Sequence, residues 1–298
     1  MKRTTFDAQV AVQAAALATL CATSATAEAT IVRFETVLGD IDVRLFDTAT
    51  PASVANFLNY VTDGDYDDSF IHRAPPGFVL QGGGFRWLEN DANVSSVPTD
   101  APVVNEPGLS NLTGTLAYAK LGGDPNSATS GWFFSVGDNS ANLDFQNGGF
   151  TVFGSVVGDG LDVIDDLAAL SLVNAGGAFT TLPVLDTFAP PTVFREDLVF
   201  VNTIVELSLS EGDYDFDGDV DLDDYAVWQS EFGNSLRIID QPTDIEMNAD
   251  GNGDGVVDAA DYTVWRDSFN AASASAVPEP LSAMLAALGA LSVPLRRR

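Results

Sequence analysis

Two aspartate-rich stretches carry the clearest chemical pattern in this chain. The residues from Asp213 to Asp224 are matched, 37 positions later, by those from Asp250 to Asp261. Counted from the first aspartate of each copy, side-chain oxygens fall at positions 1, 3, 5, 9 and 12, with glycine at 6. Loop one offers Asp213, Asp215, Asp217, Asp221 and Asp224; loop two offers Asp250, Asn252, Asp254, Asp258 and Asp261. Ca²⁺ takes about 6–8 oxygen ligands at about 2.3–2.6 Å, and glycine permits the sharp turn that brings them round one ion. The spacing therefore predicts two Ca²⁺ loops rather than an evenly solvated acidic surface. Each loop is followed by aromatic residues at i, i+3 and i+7, Tyr225, Trp228 and Phe232 in one copy and Tyr262, Trp265 and Phe269 in the other. That period packs two helices against each other, with Val220 and Val257 turned into the core. So small a unit is expected to need its ions to fold.

Other familiar chemistries are poorly supplied. Cys21 is the only cysteine, so an intrachain disulfide and a thiolate metal cage are both excluded. His72 is the only histidine, so a two-histidine metal site is impossible and a Ser-His-Asp triad would have to use it. A net charge of −30, from 13 basic and 43 acidic residues, argues against nucleic-acid backbones and anionic membrane surfaces as partners. Glycines 82, 83 and 84 invite a phosphate-loop reading, but no Gly-Lys-Ser/Thr follows them.

Those glycines close a denser motif. Phe70-Ile71-His72-Arg73 is followed by Phe78, then by Gln81-Gly82-Gly83. A second block runs from Asp124 to Phe134; a third joins Asn142-Leu143-Asp144 to the run from Gly149 to Gly154. Through these three ordered blocks the chain resembles the cyclophilin-type peptidyl-prolyl isomerases. The resemblance implies a closed, mostly antiparallel β-barrel with two helices, acting on X-Pro bonds of polypeptides without a catalytic cofactor. It implies that Arg73 donates to the amide nitrogen of the twisted bond, and that Phe78, Phe133 and Leu143 hold the proline ring. Gln81 would bind substrate backbone, and His72, Ala119, Lys120, Asn142 and Phe150 would complete the substrate surface. Asn142 stands where the best-known members carry tryptophan, Gly131 replaces a glutamine, and Phe150 replaces histidine or tyrosine. These departures keep a second reading open, a catalytically weak proline-peptide binding or surface-assembly module. The acidic loops, with aspartate at position 12, resemble dockerin type I repeats, which implies a cohesin-like partner; a Ca²⁺-stabilised spacer fits the same residues.

The elements that must position these groups are legible in outline. Ile31 to Val37 and Ile41 to Phe46 flank a turn and read as a hairpin. Pro51 opens a helix whose apolar face carries Val54, Phe57, Leu58 and Val61. Strands are expected at 114–119, 132–136, 151–154 and 198–205, a helix at 162–170, and a loop insertion over 171–195.

Both ends read as processing signals. Lys2 and Arg3 precede an apolar, small-residue stretch, and Ala25-Thr26-Ala27 suits a signal peptidase, which predicts export. Val277-Pro278-Glu279-Pro280, an apolar run and three arginines resemble a PEP-CTERM tail, which implies an exosortase-type sorting protease and a place at the cell envelope, outer surface or extracellular matrix. The expected organisation is a signal peptide (1–27), an isomerase domain (30–207), a Ca²⁺-binding domain (208–271) and a sorting tail (277–298).

Overall fold

The computed structural model describes residues 30–88, 93–186, 193–208, 210–216, 218–235 and 248–275. The expected signal peptide, the sorting tail and Asp217 lie outside the described residues. Among the described residues no helix is long and apolar enough to cross a membrane.

A curled antiparallel sheet dominates. The hairpin β1 (Ile31–Thr36) and β2 (Gly39–Leu45) forms as its alternation predicts, and buries Val32, Phe34, Ile41 and Val43 on one face. Helix α1 (Pro51–Thr62) follows. Its proline sits in the first turn, where no amide is needed, and Glu106 accepts from the first-turn amides of Ala52 and Ser53 at 3.3 and 2.8 Å. Then come β3 (Ser69–Phe70), β4 (Val79–Gly82), β5 (Phe85–Leu88), β6 (Asn93–Ser96), β7 (Thr115–Tyr118) and β8 (Trp132–Ser135). The short helix α2 (Ser140–Leu143) leads to β9 (Val152–Val157) and to α3 (Gly160–Ala168). A small hairpin, β10 (Ser171–Val173) with β11 (Leu182–Val184), precedes β12 (Phe200–Leu207).

The strand order is β4-β8-β7-β9-β2-β1-β12-β3-β5-β6. The expected closed barrel is therefore an open, curled ladder. Its edges are β4 and β6, and β4 meets the segment that follows β3 across a seam made by one isolated bridge, Arg73 to Gln81. Two backbone bonds make that seam: His72 N–H to the Gln81 carbonyl at 3.0 Å, and Gln81 N–H to the Arg73 carbonyl at 2.8 Å. Inside the curl, Phe34 meets Trp132 and Phe134 edge-on, at centroid distances of 5.0 and 5.1 Å, a favoured aromatic geometry.

Residues 171–195 are not a plain loop, as expected from sequence, but include the β10–β11 hairpin. Leu182 and Val184 bury with Phe70, Leu198 and Phe200 in a core of their own, and that burial organises the insertion.

Beyond β12 lie helices α4 (Leu222–Glu231) and α5 (Ala259–Ser275). Tyr225 packs on Trp265 at 5.0 Å and Trp228 on Tyr262 at 5.1 Å, as the repeated aromatic spacing predicts. Phe232 instead stays exposed, because α4 ends just before it. Val257 is fully buried, whereas Val220 is only half-buried. The module rests on the sheet through Arg44 of β2. This residue is buried, donates to the Asn248 carbonyl and lies 5.7 Å from the Phe216 ring centroid.

Candidate active site

Sheet register explains why the motif residues meet. Gln81 faces Arg73 across the seam, Phe133 across the β4–β8 ladder, and Phe133 in turn faces Ala117 on β7. Partners in register share a face, so Arg73, Gln81 and Phe133 project from the same outer side. Their neighbours Trp132 and Phe134 project inward, since side chains alternate along a strand. The glycine run has a steric cause. A Cβ on Gly82 would lie 2.4 Å from the Trp132 ring, and one on Gly83 would lie 2.4 Å from the Ser130 carbonyl oxygen. Both positions exist to let Trp132 fill the core.

On the outer face lies a cavity of about 200 Å³. Arg73, Phe78, Gln81, Phe133, Leu143, Ala119, Lys120 and Phe150, all named from sequence, line it. Arg73 is half-buried, gives Nη1 to Gln81 Oε1 at 3.3 Å, and lies 5.9 Å from the Phe78 ring centroid. Phe78 is placed by a turn through Gly77, at φ +65°; the Phe78 carbonyl accepts from Val136 N–H and from Asn139 Nδ2, both at 2.9 Å. Leu143 ends α2 and accepts the Phe150 N–H at 3.0 Å. The next residue, Asp144, is buried and anchored by Ser110 and by Asn111, whose backbone N–H lies 2.8 Å from its carboxylate. Phe150 stands edge-on to Phe133 at 5.9 Å.

Two residues expected at the substrate surface lie outside the cavity lining, and a third lines it with its charge engaged elsewhere. His72 does not reach the cavity: it is 5% exposed and set edge-on to Phe85 at 4.9 Å. It alternates with Arg73 and so takes the opposite face. Burial, with Arg73 beside it, pushes its pKa down to about 4, so it stands neutral. Asn142 is exposed outside the lining and touches it through Gln146, whose Nε2 donates to Asn142 Oδ1 at 3.3 Å. Lys120 lines the cavity, but its ammonium donates to Asn105 Oδ1 at 3.1 Å and to the carbonyls of Asn147, at 3.0 Å, and Gly149. Val79 and Gln146 also line the cavity, and sequence reasoning did not single them out. Val79 follows Phe78 directly, while nothing in the spacing points to Gln146.

The comparisons with known proteins bear on the same segment. The family model described as cyclophilin type peptidyl-prolyl cis-trans isomerase/CLD matches residues 31–185, more than half of the chain. The chain belongs to the cyclophilin family. A peptidyl-prolyl cis-trans isomerase of Acinetobacter baylyi is 40% identical to this cyclophilin over 142 residues, which cover 47% of this chain and 72% of the relative. Peptidyl-prolyl cis-trans isomerase B of Escherichia coli is 38% identical over 152 residues, 49% of this chain and 88% of the relative. A solved cyclophilin type isomerase of Cryptosporidium parvum aligns at 21% identity with a TM-score of 0.43, covering 60% of this chain and 98% of that one. This cyclophilin is accordingly a peptidyl-prolyl cis-trans isomerase. The family match ends before β12, yet β12 is the second partner of β1 along its whole length, so the sheet extends past the matched residues.

The acidic loops are built differently. Asp213, Asp215 and Asp224 place one carboxylate oxygen each within 4.8 Å of the others. Asp213 is buried, its Oδ1 has no hydrogen-bond partner, and burial together with Asp224 pushes its pKa up to about 6. In both loops the aspartates also accept backbone amides: Asp213 from Gly218 and Asp224 from Asp221 in loop one, with the equivalent bonds in loop two. Asp250 accepts from Gly255 at 2.9 Å and Asp261 from Asp258 at 2.7 Å; Asp254 accepts from Val256 and Asp258 from Ala260. Among the described residues no comparable trio of carboxylates forms in loop two. One reason is that position 3 carries Asn252, an amide that gives Nδ2 to Asp254.

Proposed function

We propose that this cyclophilin isomerises X-Pro bonds of exported polypeptides in the outer-face cavity, with Arg73 as the group that stabilises the twisted amide. The observation that carries this reading is a cavity walled by Phe78, Phe133, Leu143 and Phe150 with a single half-buried guanidinium, Arg73, at its edge. Rotation about a peptide bond costs about 18–20 kcal/mol because conjugation makes the C–N bond partly double. No bond needs to break. At the top of the barrier the nitrogen is pyramidal and its lone pair has returned, so a donor aimed at that nitrogen binds the transition state better than either planar form. A guanidinium suits this role because it stays charged and carries donors in a fixed fork. The aromatic walls hold the ring while the preceding carbonyl swings. Gln81, already bonded to Arg73, aims that fork and leaves amide donors for substrate backbone. Ala119 N–H is committed to the Gly131 carbonyl at 2.8 Å, so pairing with an extended peptide would use the Ala119 carbonyl.

The remaining organisation is proposed on sequence pattern together with this chemistry. The 30–207 segment acts as the isomerase and 208–271 as a dockerin-like Ca²⁺ module with a cohesin-like partner. Residues 1–27 direct export, and 277–298 are handled by an exosortase-type protease at the envelope. Loop one supports the ion reading best. Two oxygens on a shell of about 2.4 Å radius lie no more than about 4.8 Å apart, and the Asp213, Asp215 and Asp224 oxygens meet that limit. A bound Ca²⁺ would supply positive charge to carboxylates that burial otherwise penalises.

The test is a prolyl-isomerisation assay on the chain without its terminal signals, wild type against Arg73→Ala. A drop of about 10²–10³-fold in kcat/KM, the size typical of losing one transition-state donor, with unchanged circular dichroism, is expected. Retention of activity in the variant would remove Arg73 from the mechanism. A wild type that binds proline peptides but does not turn them over would leave a binding module.

A further inference from the structure

Lys120 follows Ala119 at the mouth of the cavity, where a free ammonium would meet a passing peptide. Its charge is engaged elsewhere. The three acceptors named above, Asn105 Oδ1 and the Asn147 and Gly149 carbonyls, account for the three donors an ammonium has. The same nitrogen lies 4.7 Å from the centroid of the Phe150 ring, in cation–π range. The turn it grips is unusual. Asn147, Gly148 and Gly149 have φ of 51°, 79° and 77°, three successive residues in the left-handed region. A non-glycine residue persists there only when its surroundings over-determine it. Asn105 grips the same turn from a second direction, giving Nδ2 to the Gly148 and Gly149 carbonyls, each at 3.0 Å. Its own Oδ1 is shared between Lys120 and Thr151, just past Phe150.

We propose that Lys120 is a positioning residue: by gathering the carbonyls of the 147–149 turn it fixes Phe150, and so sets how tightly the cavity holds a prolyl ring. The inference rests on the reading of this cavity as the prolyl site. Phe150 forms the wall against Phe133 and is tied by its N–H to Leu143, so a slack turn would open that side of the cavity. The ring is gripped in the planar and the twisted states alike. Loosening that grip removes uniform binding, which raises KM and leaves kcat nearly unchanged.

The experiment uses the full chain with Lys120→Met, Lys120→Arg and Asn105→Ala, and a short Ala-Pro peptide as probe, reading kcat, KM and, by titration calorimetry, Kd. Loss of charge-assisted hydrogen bonds of this kind is expected to raise KM and Kd about tenfold in Lys120→Met, with kcat within about twofold of wild type. Lys120→Arg, which keeps charge and donors, should recover most of the affinity. Asn105→Ala should weaken binding in the same direction by less. A fall in kcat at unchanged KM would mean that the ammonium acts on the reacting peptide and would overturn the proposal; so would unchanged constants. Should Lys120→Met fail to fold, Asn105→Ala decides, and an unmoved Kd there overturns it. A wild type that does not bind the Ala-Pro peptide refutes the prolyl reading of the cavity itself, a result distinct from variants that bind as wild type does.

Discussion

The outer-face cavity and the aspartate loops hold charge in opposite ways. Around the cavity cations are few and each is assigned: Arg73 stays half-buried beside Gln81, while Lys120 is wrapped in carbonyls. In the loops carboxylates are buried beside one another, and burial pushes Asp250 up to about 7 and Asp261 up to about 6. Backbone amides and the buried Arg44 offset part of that cost. The cavity is electrostatically complete as folded. The loops are built so that added positive charge improves them. The prolyl cavity and the proposed ion loops therefore belong to separable parts, even though Arg44 joins the module to the sheet.

The strongest test of that separation pairs Arg73→Ala with chelation. The substitution should cost the full catalytic factor given above, whereas removing Ca²⁺ should leave turnover within about twofold, since no loop residue lines the cavity. A collapse of activity on chelation would show the two parts to be one. Next in size is the effect of the ion on folding. Ca²⁺ at about 100 times its dissociation constant should stabilise the module by about 2.7 kcal/mol per site. The unfolding midpoint followed by tryptophan fluorescence should rise accordingly, and Asp213→Asn should blunt the rise. Identical midpoints in Ca²⁺ and in chelator would remove the ion reading.

Acid should act on the sheet side through His72. Its folded pKa, about 4, lies below the ordinary 6.5, so the neutral form is favoured by folding. That contribution is whole above pH 6.5 and is lost as pH falls toward 4, with a slope of at most about 1.4 kcal/mol per pH unit. His72→Gln should flatten the stability profile across this window; equal slopes in both proteins would show that His72 is not held neutral. The smallest effect concerns the repeats. Trp228 of α4 donates to the Asp258 carbonyl of loop two at 2.8 Å, and Trp265 of α5 returns the bond to the Asp221 carbonyl of loop one at 2.7 Å. Trp228→Phe should cost about 1 kcal/mol of module stability and weaken Ca²⁺ binding at loop two more than at loop one. An effect confined to loop one would break the reciprocity.

Much of the cavity was legible because its residues sit in short blocks whose register follows from strand alternation. Arg73, Phe78 and Gln81 lie within nine residues of one another, and Phe133 falls in register with Gln81. The misplaced residues failed for a physical reason. His72 and Arg73 are neighbours in sequence but belong to opposite faces, and Asn142 lies on the exposed side of a four-residue helix. Neither distinction is visible without the seam bridge and the turn that follow them.

The sequence by itself determined the family through its motif blocks, the hairpin and helix that open the sheet, the duplicated acidic loops and the chemistries that one histidine and one cysteine exclude. Tertiary structure decided the open seam at Arg73 and Gln81, the burial of His72, the β10–β11 hairpin, the capture of Lys120 and the docking of the module on Arg44. The division follows from range. Side-chain type and period report local preference, which the chain carries at every residue. Lys120 bonds residues 15 to 29 positions away, and Arg44 bonds one 204 positions away. Such pairs exist only once packing has offset the entropy lost in bringing distant segments together.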